Sequence, residues 1–193
     1  MFAAGTASAQ HLEAGILAAL NQLRGDPAGY AEVLREQRRY YQGNILAIPG
    51  FPEVLTQEGV RPVDEAIRAL RSMPDVLGLV TLSSGLSHAA ADHARDTGRL
   101  GLTGHAGSDG SNFMSRIERY GKWSGAVGED ISFGALGARG VITDLLIDDG
   151  VANRAHRKSL LDPRWRYVGI ACGVHANYRT VCVMDFASSY RDR

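Results

Sequence analysis

The sequence predicts an α+β fold, a three-layer α/β/α sandwich on a small, mostly antiparallel central sheet. Two observations predict it. The stretch "YVGIACGVHANYRTVCVMDF", Tyr167 to Phe186, reads as a β-hairpin turning about Asn177. That turn sets Cys172 against Cys182, Ile170 against Met184 and Val168 against Phe186 on one apolar face. Gly169, Ala171 and Gly173 then oppose Val181 and Val183 on the other, and small residues there admit a closely packed layer. A sheet apolar on both faces has to be covered on both. The second observation supplies the cover, because most of the remaining chain carries helical apolar spacing.

The elements follow in order. "QHLEAGILAALNQLRGD" spaces Leu12, Ile16, Leu20 and Leu23 along one helical face, and Gly25 ends it. Asp26 and Pro27 are N-cap and N1 of a second helix reaching about Arg38. "QGNILAIPGFPEVL" is broken by Gly and Pro and reads as a loop. "VDEAIRALRSM" is a third helix, with Pro62 at its start and Pro74 closing it. Ser83 caps "GLSHAAADHARDT", a helix expected to stop at Gly98. "ARGVITDLLIDD" is a helix ending at Gly150. A short helix, "RAHRKSLL", is expected to be capped by Asn153 and stopped by Asp162-Pro163.

At 193 residues the chain is most simply one domain. Residues 1–9 stand apart as a leader remnant or a frayed terminus, since Ala7-Ser8-Ala9 is a small-x-small pattern without the charged and apolar regions of a full leader. Residues 10–193 form the domain, with helices over 10–80 and the motif-bearing core over 81–188. A hydrophobic fraction of 45% and a charged fraction of 22% are ordinary for a soluble protein. Twenty-one basic residues balance twenty-one acidic ones without a dense basic run, which argues against nucleic acid as a partner. The longest apolar stretches are too short to span a bilayer. Cys172 and Cys182, opposite one another in the hairpin, can form a disulfide, which favours export through an oxidising compartment. Two buried free thiols are the other reading.

The chemistry gathers in "GHAGSDGSNFMSRIERYGKWSGAVGEDISFG", residues 104–134. "AVGEDISF" alternates, so Val127, Glu129, Ile131 and Phe133 share a face. A lone glutamate on that face needs a cation, a histidine or a set of backbone donors. His105 lies upstream on a glycine-serine turn. His156 lies in the first turn of its helix, where the positive end of the dipole favours a neutral ring suited to a metal or a proton. Packing at a helix start is the simpler account of His156 alone. His88 and His93 are five apart and read as surface or supporting residues, and His11 and His175 take no role. The common hydrolase, zinc-protease and phosphate-loop motifs are absent.

Four stretches then carry a resemblance: "TGHAGSDGS", "YGKWSGAVGEDISFG", "LLIDDGVANRAHRKSLLDPRWRYVGIACG" and "TVCVMDFA". In this order, from about Leu82 to Phe186, they resemble the CAP superfamily of cysteine-rich secretory, antigen 5 and pathogenesis-related proteins, in its bacterial SCP-like extracellular branch. "NQLRGDPAGYAEVLREQRRYY" is similar to that branch's opening helices. The resemblance implies the three-layer sandwich and a central cleft of two histidines and two acids able to hold a divalent cation. On its motifs the ligands fall on His105, Glu129 and His156, with Asp149 at the second acid and Asp148 beside it. Asp149 is shorter than the glutamate common there. The family's G-E-N is G-E-D here, which sets Asp130 next to the site.

Two functions follow from the resemblance. One is a secreted or periplasmic, monomeric, non-catalytic module that binds a divalent cation and a lipid- or sterol-like molecule or an extracellular protein. The other is a metal-assisted hydrolase in which Glu129 acts as base beside His105 and His156. Two imidazoles and a carboxylate suit zinc better than magnesium or calcium. No organic cofactor is implied. The first reading is favoured, because catalytic zinc usually has three dependable protein ligands.

Overall fold

The structure, a computed structural model, describes residues 3–73 and 76–193. Pro74 and the first two residues of the suggested leader remnant lie outside the described residues. In chain order the elements are α1 (Ala3–Gly25), α2 (Pro27–Arg38), β1 (Tyr41–Gln42), β2 (Ile45–Leu46), β3 (Val54–Leu55) and α3 (Arg61–Arg71). β4 (Thr81–Leu82), α4 (Ser84–Leu100), α5 (Phe113–Tyr120), β5 (Gly121–Phe133), α6 (Gly137–Ile147), α7 (Ala155–Leu160), β6 (Tyr167–His175) and β7 (Arg179–Asp192) complete it.

The predicted fold class holds. The larger sheet has the order β4-β6-β7-β5, with only β4 parallel to its neighbour. The hairpin register is the expected one: Cys172 pairs with Cys182, Ile170 with Met184, Val168 with Phe186, and His175 with Arg179 at the turn. Cys172 and Cys182 are joined as a disulfide. Val168, Ile170, Met184 and Phe186 pack with Ile16, Leu20 and Leu23 of α1 and with α6. On the opposite face Ala171, Val181, Val183 and Ile131 meet Ala90 and Ala94 of α4. Gly169 is where that layer comes closest, since a Cβ there would lie 2.0 Å from the backbone carbon of Leu86.

Several boundaries differ from expectation. The helix expected from Gln10 extends back to Ala3. Asp26 caps α2 as predicted, its side chain accepting from Gly29 N–H. The stretch expected to be a loop folds into a small antiparallel sheet, β1-β2-β3. Strands of two residues are too short to show a period. α4 runs through Gly98 and ends at Gly101, which takes the left-handed conformation at φ 67°. Gly98 serves contact instead, because a Cβ there would lie 2.3 Å from the Val174 carbonyl oxygen. α6 stops at Ile147 rather than Gly150, because Asp148 turns left-handed at φ 60°.

Candidate functional site

β5 is the outermost strand on its side of the sheet, and consecutive residues along it face opposite helical layers. Glu129 points toward the α4–α5 layer and Asp130 toward the α6–α7 layer. Each has a histidine for company.

On the Glu129 side, α5 begins with a capping box in which Asn112 and Ser115 exchange side-chain and backbone bonds. This fixes Arg116 one turn in, wholly buried, against the strand. Its Nη2 donates to Glu129 Oε2 at 2.7 Å and to the His105 carbonyl at 3.1 Å. His105 Nδ1 lies 2.8 Å from Glu129 Oε1. A carboxylate only accepts, so Nδ1 carries the proton and Nε2 is left free. The Glu129 side chain is 0% exposed and that of His105 is 52% exposed, so the ring reaches from a buried anchor into solvent. Burial alone would raise the Glu129 pKa, but the His105 and Arg116 bonds outweigh it and hold it below the usual value. His93 is buried, not at the surface, and its Nε2 meets the Gly104 carbonyl at 2.9 Å, steadying the turn that carries His105.

Behind Glu129 stands Asp185 of β7, its cross-strand partner. Asp185 is fully buried, and neither oxygen has a hydrogen-bond partner among the described residues. Burial first, and the charge of Glu129 second, raise its pKa well above the ordinary carboxylate range.

On the other side, Asp148 ends α6 and reaches forward to α7. Its Oδ1 lies 2.7 Å from His156 Nδ1, and its Oδ2 accepts from the backbone N–H of His156 at 2.9 Å and of Arg157 at 3.3 Å. Asp148 therefore caps the short helix from a distance, while Asn153, the expected cap, accepts only from Ala155 N–H. The Asp148 bond is also the leading reason that the His156 pKa is raised. The neutral ring expected from the helix dipole is corrected accordingly: a carboxylate at the helix start overrides the partial charge of one six-residue helix. Arg157 turns inward and donates to the Leu146 and Ile147 carbonyls, closing the end of α6.

Asp130 feels the charge of both histidines. It is buried, its Oδ2 has no partner among the described residues, and burial pushes its pKa up to about 7 against the opposing charge of His156, with His105 contributing the same way. Both rings thus act on one carboxyl at the edge of β5. Asp149 does not join them. Its carboxylate accepts from the backbone N–H of Gln57 and Glu58 at 2.6 and 2.8 Å, tying the loop before α3 to the end of α6. Among the described residues no three His, Cys, Asp or Glu side chains gather as a metal-binding group. Glu129 and Asp148 orient histidines, which leaves the two Nε2 atoms as the donors available to an incoming ion.

Sequence reasoning missed Arg116 and Asp185. Asp185 carried a signal, since it is a lone acid in the apolar run "TVCVMDFA" and invited the same question as Glu129. Arg116 carried none. His175, given no role, closes the hairpin turn: Nδ1 accepts from Asn177 and Tyr178 N–H, and Nε2 meets the Leu102 carbonyl.

The profile of the cysteine-rich secretory protein family, CAP, matches residues 17–186. Among solved structures, an outer surface protein from Borrelia burgdorferi is 18% identical with a TM-score of 0.47, over 56% of this chain and 76% of that one. An extracellular protein containing an SCP domain from Bacillus anthracis is 17% identical with a TM-score of 0.46, over 63% of this chain and 36% of that one. No match was found among curated proteins. No helix among the described residues is long and apolar enough to cross a membrane.

Proposed function

Since this chain belongs to the cysteine-rich secretory protein family, we propose that it is an exported, non-catalytic binding module whose cleft lies at the edge of β5. The observation that carries this reading is the paired orientation of two imidazoles. His105 and His156 each give Nδ1 to a buried carboxylate, Glu129 and Asp148, and keep Nε2 available. Metal-binding histidines are commonly held this way. His105 and His156 would hold a divalent cation, zinc in preference to calcium or magnesium, because both donors are imidazole nitrogens. Such an ion supplies positive charge to a ligand carrying oxygen donors. Two protein donors make a partial set, so ligand or water completes it and affinity is modest.

The disulfide supports export through an oxidising compartment, secreted or periplasmic. The ligand is a lipid-like small molecule or an extracellular protein. Hydrolysis is the weaker reading, because Glu129 would have to serve as base. Its two oxygens already hold His105 and Arg116, and its proton affinity is low.

Calorimetric titration with zinc tests the proposal in the wild type, His105→Ala and His156→Ala. Binding should fall in both variants. Unchanged binding in both would overturn the cleft as a cation site. Hydrolysis of ester or peptide substrates that disappears in Glu129→Gln would overturn the non-catalytic assignment.

A further inference from the structure

The opposite edge of the sheet carries a second feature, independent of the histidine cleft. β4 pairs with β6 only at Tyr167 and Val168. Beyond that point no described strand lies beside β6, whose edge is partly exposed from Cys172 to Val174, while Gly169, Ile170, Ala171 and His175 are buried. A groove of about 560 Å³ runs along this edge between α1 and α4. Its walls are small, Ala91 and Ala94 on one side and Ala171 and Gly173 on the floor, which suits a slender extended chain.

The edge turns polar backbone into the groove. Ile170 N–H donates to Ser87 Oγ at 3.2 Å, and Cys172 N–H donates to Glu13 Oε1 at 2.9 Å. In an antiparallel pair the N–H and C=O of one residue point the same way, so the Ile170 and Cys172 carbonyls face outward as well. Val174 follows on the same edge with 81% of its surface exposed. Open edges with exposed β-branched residues are the places where a sheet accepts another strand. Arg95 and Arg99, one turn apart on α4, border the groove and are exposed. Among the described residues Arg95 has one carboxylate partner, the half-buried Asp92, at a long 3.4 Å. On the far side Glu13 places a carboxylate on a strand N–H, which is where an incoming acceptor would sit.

We propose that this groove docks an extended, acidic peptide segment of a partner protein, laid beside Cys172 to Val174 of β6 with its carboxylates on Arg95 and Arg99. Main-chain bonds to β6 supply the register, and the arginines select acidic side chains. Glu13 is a removable cover: it satisfies Cys172 N–H in the free protein and repels an acidic occupant.

The test uses the intact protein and an acetylated, amidated peptide alternating glutamate with valine. Fluorescence anisotropy measures affinity, and amide chemical shifts of nitrogen-15-labelled protein locate the site. Shifts should concentrate on Ile170 to Val174 and along Ala91 to Arg99. Affinity should fall about tenfold in Arg95→Gln/Arg99→Gln, the loss of charge-assisted bonds, and rise in Glu13→Ala. Both substitutions lie at the surface and leave the core intact. Equal binding of a lysine–valine peptide, shifts centred on β5, or no binding would each overturn the proposal. Self-association of the protein through this edge in place of peptide binding would overturn the assignment of the partner.

Discussion

Glu129 and Asp185 face one another across the β5–β7 pairing as two buried carboxyls whose pKa values are pushed in opposite directions. The bonds from His105 and Arg116 lower that of Glu129 against its burial, and burial, with the Glu129 charge beside it, raises that of Asp185. The two should therefore respond unequally to loss of charge. Glu129→Gln leaves Arg116 buried without a counter-charge and should cost roughly 3–5 kcal/mol. Asp185→Asn replaces a carboxyl whose ionisation burial disfavours with an amide of the same shape, and should cost less than about 1.5 kcal/mol. Urea denaturation at pH 7 distinguishes them. Equal losses would contradict the opposite directions of the two shifts.

Zinc binding should be sensitive to pH at a higher value than ordinary imidazoles predict. The sequence leads one to expect weakening below about pH 6, near the usual imidazole pKa of roughly 6.5. Asp148 raises the His156 pKa, so protons compete for that ring from a higher pH downward. Asp148→Asn should shift the half-loss point to lower pH, as calorimetry across pH 5 to 8 would record.

The same shifts set opposite trends in stability. The His156–Asp148 pair contributes fully below the unfolded histidine pKa and fades as pH rises through the raised folded value. Glu129 contributes above its unfolded pKa and loses that contribution as pH falls through its lowered folded value. His156→Gln should therefore lose more stability at pH 6 than at pH 9. His105→Gln should cost most above the ordinary carboxylate pKa and progressively less as pH falls through the acid limb. Denaturation midpoints followed across pH 3 to 9 give the comparison.

Removing the disulfide should cost roughly 2–3 kcal/mol, because the bridge closes a short loop with a sequence separation of 10. The Cys172→Ser/Cys182→Ser protein should still fold, since Ile170–Met184 and Val168–Phe186 keep the register on the buried face. Thermal unfolding with and without reductant, compared with the double variant, measures the difference.

Gly98→Ala sets helix propensity against packing. Propensity alone would favour alanine, by up to about 1 kcal/mol, in the last turn of α4. Its Cβ would meet the Val174 carbonyl oxygen at 2.3 Å, and that backbone is held in place by the bond from Ala176 N–H to Gly98 O. The substitution should destabilise by roughly 1–3 kcal/mol. A gain in melting temperature would show that the hairpin end yields.

The contrast between Cys172 and Asp148 shows what the chain made legible. The Cys172–Cys182 register is local and periodic, so alternation and one turn were enough to place every pair in the hairpin. The fold class followed from it. Asp148 acts across a separation of 8 residues, through a left-handed backbone that no periodicity reports. The sequence motifs point to Asp149 beside it as the second acid, and only three-dimensional contact assigns that residue to Gln57 and Glu58. Gly98 was read as a stop because a helix end and a close contact call for the same residue. Arg116 was invisible for another reason: its partner comes from a different element, and a buried arginine in an amphipathic helix looks like any surface arginine until the helix is docked.

His105 is anchored on Glu129 of β5 and His156 on Asp148 at the end of α6, and β5 has no further neighbour among the described residues. Nothing in the sheet itself stitches the helical layers together there. An occupant held by both rings would therefore be a clasp on the sandwich, and its mechanical effect would be separate from recognition. Amide exchange along the outer side of β5 should slow when the clasp closes, while the disulfide-linked pairing of β6 with β7 keeps its rate. Gripping a ligand and stiffening the rim would then be one event.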